Sequence, residues 1–350
     1  MGATANAILV IMTVSLVVLS SGVECCPPSE WAALMAFKAA LKEPDTHLGL
    51  FHSWRGTNCC YHWYGISCDP IAHRVAEINF QGLNLNRHFL FKRGRPNLAG
   101  HISPAICNLT QLSTIIISDW KGISGEIPDC ITSLPFLRII DLGGNRISGK
   151  VPRDIGRLSQ LSLLNLADNI ISGRIPRTLV KLSNLMHLDL RNNAISGPIP
   201  WDFGRLSMLS RALLSGNKIT GHIPWTISRI YRMADLDLSF NKISGRIPAS
   251  LGRMRVLDSL NLRWNNISGT IPDTLLSSRI THLDLSRNAL RGHIPNVFGE
   301  KTYFIVLDLS HNDLEGSVPK SITCAKYIGH LDISHNRLLP GRIPTPSPFF

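Results

Sequence analysis

The chain has 350 residues, 44% of them hydrophobic and only 17% charged, with a formal net charge of +12. That is enough apolar material for a sizeable core, and the basic balance favours acidic partners such as nucleic acid, anionic lipid or an anionic polysaccharide without deciding the fold. After the first residues no stretch is apolar enough to span a bilayer, and no kinase-like segment is present, so the chain is not expected to pass a signal across a membrane by itself.

In chain order, Ala7 to Leu19 is almost wholly apolar and is followed by the small residues Ser20 and Gly22. It reads as a signal peptide over residues 1–22, with a retained signal anchor as the alternative because a basic n-region is missing. Residues 23–74 read as an N-terminal cap. Ser29 is placed to N-cap a helix from Glu30 to about Lys42, ended by Glu43-Pro44. Trp31, Leu34, Phe37 and Leu41 fall at helical spacing, so one apolar face would cover the open end of a core. Of eight cysteines, five (Cys25, Cys26, Cys59, Cys60 and Cys68) crowd this region, as in a disulfide-stapled cap from an oxidising compartment. Zinc is the rival reading, but no two-plus-two ligand spacing with histidines appears, and no metal or other cofactor is expected. Asn108-Leu109-Thr110 and Asn266-Ile267-Ser268 are acceptor sequons for glycosylation.

Residues 75–344 repeat. The Asn of Leu137 to Pro152 (LRIIDLGGNRISGKVP) recurs as Asn145, Asn169, Asn193, Asn217, Asn241, Asn265, Asn288, Asn312 and Asn336, at 24-residue spacing except for one step of 23. Leucine-like residues stand eight, five and three before each Asn; a Gly follows at plus four, then Ile-Pro or Val-Pro. An earlier unit, Leu112 to Pro128, has Trp120 in the Asn place, and a weaker first unit starts near Val75. The Leu-x-Leu pair suits a short strand with alternate residues inward. The Asn side chain can bond backbone groups where the chain leaves the strand. The Gly tolerates a φ closed to bulkier residues, and Ile-Pro enforces extended backbone. No unit buries its apolar side alone, so neighbours must stack into a curved α/β solenoid with a parallel sheet on the concave side.

The string Leu-x-x-Leu-x-Leu-x-x-Asn-x-x-x-Gly-x-Ile-Pro resembles the plant-specific leucine-rich repeat. Trp31 to Lys38, Ser53-Trp54 and Cys59 to Cys68 resemble its usual cap. Ser118 to Ile123, Glu300 to Tyr303 and Gly329 to Asn336 resemble one subgroup, the plant proteins labelled DNA-damage-repair/toleration proteins, relatives of polygalacturonase inhibitors. The resemblance implies disulfides Cys60–Cys68 and Cys26–Cys59. Cys107 and Cys130 lie on adjacent units as a candidate third pair, and Cys25 and Cys324 are left over. The subgroup ends in a short cysteine-bearing cap, whereas here no cysteine stands near Leu339 and residues 345–350 form an incomplete tail; the expectation is a truncated product or an end covered by a partner.

Residues six, four, two and one before each Asn are expected to face outward from the concave sheet. The minus-four column, with Asp141, Asp189, Asp237, Asp284, Asp308 and Asp332, superficially suggests a glycosidase pair. Catalytic carboxylates need a shaped, partly dry site, so these read as solvated ladder residues and the protein as a non-enzyme. The expected partner-binding patch is His187, Arg191, Arg211, Asp237, Phe240, Arg263, Trp264, His282, Arg287, His311, His330 and His335, with Phe240 and Trp264 touching across neighbouring repeats. A metal site at His311, His330 and His335 is the weaker reading; a response to acidic pH is the stronger. Arg157, Lys181, Arg205, Arg229 and Arg253 recur twelve after the Asn on the convex side, and Lys150, Arg174, His222, Arg246, His293 and Arg342 recur on a flank. The convex column suits a linear polyanion, with de-esterified pectin the candidate and solubilising charge the alternative. The expected function is extracellular recognition, in the cell wall or at the plasma membrane. The partner would be a protein such as a wall-degrading enzyme or a receptor ectodomain. The alternatives are a nucleic-acid-associated damage-toleration protein, opposed by the leader and by the lack of a nucleic-acid module, and a structural wall component.

Overall fold

The computed structural model describes residues 26–43, 49–82 and 98–338. The signal-peptide reading, Cys25, Pro44, Arg342 and the C-terminal tail lie outside the described residues. Among those described, twelve strands form one long sheet in strict chain order. Ile66–Cys68 joins antiparallel to Val75–Gln81, and every later strand adds in parallel, from Thr114–Ser118 through Tyr327–Asp332. The register never drifts: Leu164, Leu188, Ala212, Leu236, Leu260, Leu283 and Leu307 stand side by side. Each rung is therefore a copy of the one before it, and the buried leucines of all rungs merge into one core running from Cys26 to Ile322. No helix among the described residues is long and apolar enough to cross a membrane.

After each concave strand the chain turns, pairs briefly in a flanking sheet such as Ser172–Arg174 against Ala194–Pro198, and returns through a 3-10 turn such as Arg177–Lys181. The Gly four after each repeat Asn from Asn145 to Asn312 has φ near +80°, as at Gly173 (φ +82°), where a side chain would both strain the backbone and meet Lys150. The repeated Asn fixes the turn into the flank. In the rung of Asn241, Nδ2 donates to the carbonyls of Leu214, Leu238 and Ser239, while Oδ1 accepts from Ile219 N–H of the preceding rung. Trp120 takes over at the N-terminal end of this ladder. Its buried indole Nε1 donates to Phe80 O at 2.7 Å, and its backbone N–H reaches Asn145 Oδ1.

The cap departs from expectation at both ends of its helix. The helix is Pro28–Ala39, preceded by Pro27, with no side-chain cap bond; Ser29 lies inside it rather than at its N-cap. Pro28 explains the shift, because a proline in the first turn loses no helical hydrogen bond and has its φ already set. Leu41 and Lys42 leave the helix and pair with Gly100 and Ala99, so Leu41 is buried from a strand rather than from a helical face. Glu30, fully buried, ties cap to solenoid: one carboxylate oxygen meets Arg74 Nε at 2.7 Å and the other accepts Val75 N–H at 3.0 Å. Behind it Trp54 stacks on Trp63 and packs on Phe80.

Candidate functional site

The concave strands carry two outward columns, the residues six and four before each Asn. His187, Arg211, His282 and His330 fall in the first column. Asp189, Asp237, Asp284 and Asp332 fall in the second. The column two before the Asn does not face outward as expected. Ser239, Ser286 and Ser310 are buried, with the first two hydroxyls folded back on the Asp two residues earlier: Ser239 Oγ donates to Asp237 Oδ1 at 2.7 Å and Ser286 Oγ to Asp284 Oδ1 at 2.6 Å, whereas Ser310 reaches Asp308 through its backbone N–H. Arg191, Arg263 and Ser334 reach solvent from that column, and the two arginines meet Asp189 at 3.0 Å and Asp284 at 3.9 Å. Arg211 likewise meets Asp235 at 3.2 Å.

The column immediately before the Asn behaves differently. Every residue in it turns through a left-handed conformation: Asp168, Asn192, Phe240, Trp264, Arg287, His311 and His335 all have φ between 52° and 55°. Glycine, Asn and Asp visit that region readily, whereas aromatic residues there are strained by roughly 1 kcal/mol each. Phe240 and Trp264 nevertheless occupy it, about half exposed, with their rings stacked at 5.9 Å. The Arg287 guanidinium covers the next face of Trp264 at 4.9 Å, and His311 stacks on His335 at 4.0 Å. Phe240 to His335 is thus a run of five planar side chains on five consecutive rungs, an arrangement the ladder geometry builds from residues far apart in sequence.

Several titratable groups of the concave face are shifted by their surroundings. Toward the N-terminus, burial above all pushes the carboxyls of Asp119 and Asp141 upward; the neighbouring carboxylates of Asp141 and Asp168 push Asp119 further. Burial likewise raises Asp189 and Asp284, partly offset by hydrogen bonds to Arg191 and Ser286. At the other end His311 titrates below the usual histidine range, first through desolvation and then through Arg287 and His335. Backbone and side-chain bonds from Ser334 hold Asp332 down. Of the three histidines considered for metal, the structure stacks His311 on His335 and leaves His330 on the preceding strand. Among the described residues, the only trio with ligand atoms within 4.8 Å is Cys59, Cys60 and Cys68. Those sulfurs are already in Cys26–Cys59 and Cys60–Cys68, so no thiolate is offered; Cys107–Cys130 is bonded too, and Cys324 is an exposed free thiol.

On the convex side Arg157, Lys181, Arg205, Arg229 and Arg253 each end a 3-10 turn and all are exposed. Arg157 has a loose partner in Asp154 at 3.7 Å. Reading the sequence misses Trp201 and Trp225, which stand exposed at one repeat position on neighbouring rungs beside this column, with the Arg229 guanidinium 4.6 Å over Trp225. Two tryptophans eight residues after consecutive repeat asparagines were the available signal. Lys150, Arg174, His222, Arg246 and His293 are exposed on the flank, and both sequon asparagines, Asn108 and Asn266, are exposed.

Comparison with known proteins agrees with this architecture. The family "Leucine rich repeat N-terminal domain" matches residues 27–69, and "Leucine Rich Repeat" matches six segments between residues 136 and 325. The chain is 52% identical over 143 residues to the DNA damage-repair/toleration protein DRT100 of Arabidopsis thaliana, an overlap of 40% of this chain and 37% of that one. It is 31% identical over 145 residues to polygalacturonase inhibitor 1 of Oryza sativa subsp. japonica, covering 41% and 38%. The matched regions thus span less than two fifths of either relative. Among solved structures, the ectodomain of the plant membrane receptor kinase GASSHO1/SCHENGEN3 from Arabidopsis thaliana, in complex with Casparian strip integrity factor 2, superposes with a TM-score of 0.76 at 30% identity, over 88% of this chain and 36% of that one. A plant ice-binding protein superposes with a TM-score of 0.71 at 26% identity, over 93% of this chain and 100% of that one.

Proposed function

The chain belongs to the plant leucine-rich-repeat proteins, and from that premise we propose that it is an extracellular recognition protein that binds a protein partner through its concave face. The single observation that carries the reading is the run from Phe240 to His335. Backbone bonds between rungs, such as Phe240 N–H to Arg263 O, hold these bulky side chains in a strained conformation on consecutive rungs, and Phe240 and Trp264 keep about half their surface in solvent. Exposed aromatics interleaved with Arg are what protein interfaces use as anchors. The partner classes are a wall-degrading enzyme, as the name of the rice relative suggests, or a receptor ectodomain. The disulfide-stapled cap fits an oxidising, extracellular setting.

The convex column, with Trp201 and Trp225 beside it, would hold the protein on pectin. Arg and Lys at 24-residue spacing place one cation per rung, about 5 Å apart, along a line that a linear polyuronate can follow.

Two binding experiments separate the faces. Purified polygalacturonases and receptor ectodomains are presented to wild type and to a variant carrying Phe240→Asn and Trp264→Asn, since Asn accepts the left-handed φ. Capture lost only in the variant supports the concave reading; capture unchanged refutes it. On a polygalacturonate column, changing Arg157, Lys181, Arg205, Arg229 and Arg253 to Gln is expected to lower the eluting salt. Equal retention reduces that column to solubilising charge.

A further inference from the structure

The run of planar side chains has a missing rung. Between Asn192 and Phe240 the same position is Gly216, also left-handed (φ +65°), so this column lacks a side chain there and only the Asn192 Oδ1 leans into the space a Cβ would take. Rungs repeat at about 4.8 Å, so Asn192 and Phe240 face one another across about 10 Å, the space in which every other rung from Phe240 onward places one planar group. The wall on one side is the Phe240 ring: Trp264 and Arg263 cover its C-terminal side, and its other face opens over Gly216. The opposite wall is Asn192, whose Nδ2 is spent on Asp168 at 2.7 Å and whose Oδ1 projects over Gly216. On the same rung the outward residue four before the Asn is Leu213, where most neighbouring rungs carry Asp or Asn. Alongside lies an open cavity of about 280 Å³ lined by Leu163, His187, Asp189, Arg211 and Leu213.

We infer that this vacant rung is a receptor for one arginine side chain of the protein partner, whose guanidinium completes the stack between Asn192 and Phe240. The inference rests on the concave face being the recognition surface. The molecule already contains the arrangement it requires: two rungs further on, the Arg287 guanidinium lies 4.9 Å over Trp264, the distance a planar group seated above Gly216 would keep from Phe240. A cation fits the charges. The nearby arginines are engaged, Arg191 with Asp189 and Arg211 with Asp235, while Asp168 and Asp237 accept only neutral donors among the described ion pairs and hydrogen bonds. Asn192 Oδ1 offers an acceptor, which a guanidinium N–H satisfies and an inserted aromatic ring would leave facing its π cloud. Lysine lacks the plane that fills the slot, whereas the methylene stem of arginine can lie along Leu213.

The test uses saturation-transfer NMR on the full chain with three capped amino acids: acetyl-arginine, acetyl-lysine and acetyl-phenylalanine N-methylamides. The arginine probe is expected to bind at least about five-fold more tightly than the lysine probe, through the cation–π contact and the planar fit. Gly216→Asn, at ease at φ +65°, fills the rung and displaces the Asn192 Oδ1 from it, and is expected to abolish that preference; Phe240→Asn removes one wall and is expected to weaken it. Thermal melting checks that each variant is folded, and if Gly216→Asn is not, Phe240→Asn decides. No binding, equal binding to wild type and variants, or a preference for the phenylalanine probe overturns the inference. Because the probes need no protein partner, an arginine pocket on a protein that captures no polygalacturonase or receptor would refute only the wider reading.

Discussion

Replacing Asn241 by Ala separates two accounts of the asparagine ladder, one in which every bond counts and one in which only the irreplaceable bond does. The side chain makes four hydrogen bonds, so a simple tally predicts a very large loss. Its three acceptors, however, each keep another donor. Leu214 O is also bonded by Asn217 Nδ2 at 3.1 Å, Leu238 O by Asn265 Nδ2 at 2.9 Å, and Ser239 O by Gly216 N–H at 3.0 Å. Only the Ile219 N–H, buried on the neighbouring rung, is left without a partner. One orphaned buried donor costs about 1–3 kcal/mol, and the void left by a small side chain adds little, so about 2–3 kcal/mol is expected. Because rungs contact only their neighbours, the loss should be local: hydrogen exchange at the Ile219 amide should accelerate by about 30-fold if opening becomes about 2 kcal/mol easier. Asn241→Asp should be worse than Ala, since a carboxylate keeps the Ile219 bond but turns its other oxygen against three carbonyls. A cost for Asn241→Ala below about 0.5 kcal/mol, or unchanged exchange at Ile219, would refute the reasoning.

Three further outcomes follow from the same geometry. Glu30→Ala strands the Arg74 guanidinium and the Val75 N–H and should cost about 3 kcal/mol in urea unfolding, with Glu30→Gln milder because it still accepts from Val75. Breaking Cys107–Cys130 with paired serines frees a 23-residue separation and should cost about 3 kcal/mol, read from the urea midpoint of the first rungs to melt. For pH, the folded-state carboxyls of Asp119, Asp141, Asp189 and Asp284 lie above their unfolded values, so between the two the folded chain binds more protons, and their contribution to stability falls as pH rises through that window. Asp69 and Asp332 act in the opposite sense, contributing stability that is lost as pH falls through their lowered values. Asp141→Asn should therefore gain on wild type as pH rises from about 4 to about 7, and a constant difference in urea midpoint would contradict the burial effect.

The solenoid was legible because its period is written in residues that cannot be exchanged for others: an Asn that must both donate and accept, a Gly that must turn left, and leucines that must face inward. Contacts between adjacent rungs were legible for the same reason, and Phe240 meets Trp264 as their shared position requires. Orientation within a rung was harder to read. Ser239 and Ser286 alternate as strand residues should, yet their hydroxyls bend back to Asp237 and Asp284 and leave the surface, a competition between local and solvent hydrogen bonds that alternation does not encode. Ser29 is a good capping residue on propensity, but a proline on its N-terminal side starts the helix earlier. The vacancy at Gly216 escaped because a functional feature made by the absence of a side chain gives a search for reactive or aromatic residues nothing to find.

The one short repeat shows where the chain has slack. Asn265 and Asn288 are 23 residues apart, yet Ser259 pairs with His282 and Leu260 with Leu283 in the same register as every other rung. The missing residue is absorbed on the convex side, where the 3-10 turn gives way to an α turn, Asp273–Leu276, closed by Ser277 N–H to Asp273 O. The concave face is thus a ruler whose graduations hold their spacing whatever happens behind it. Residues can be lost or gained on the back of the molecule, changing how tightly the arc bends, without moving any letter out of line with its neighbours on the front.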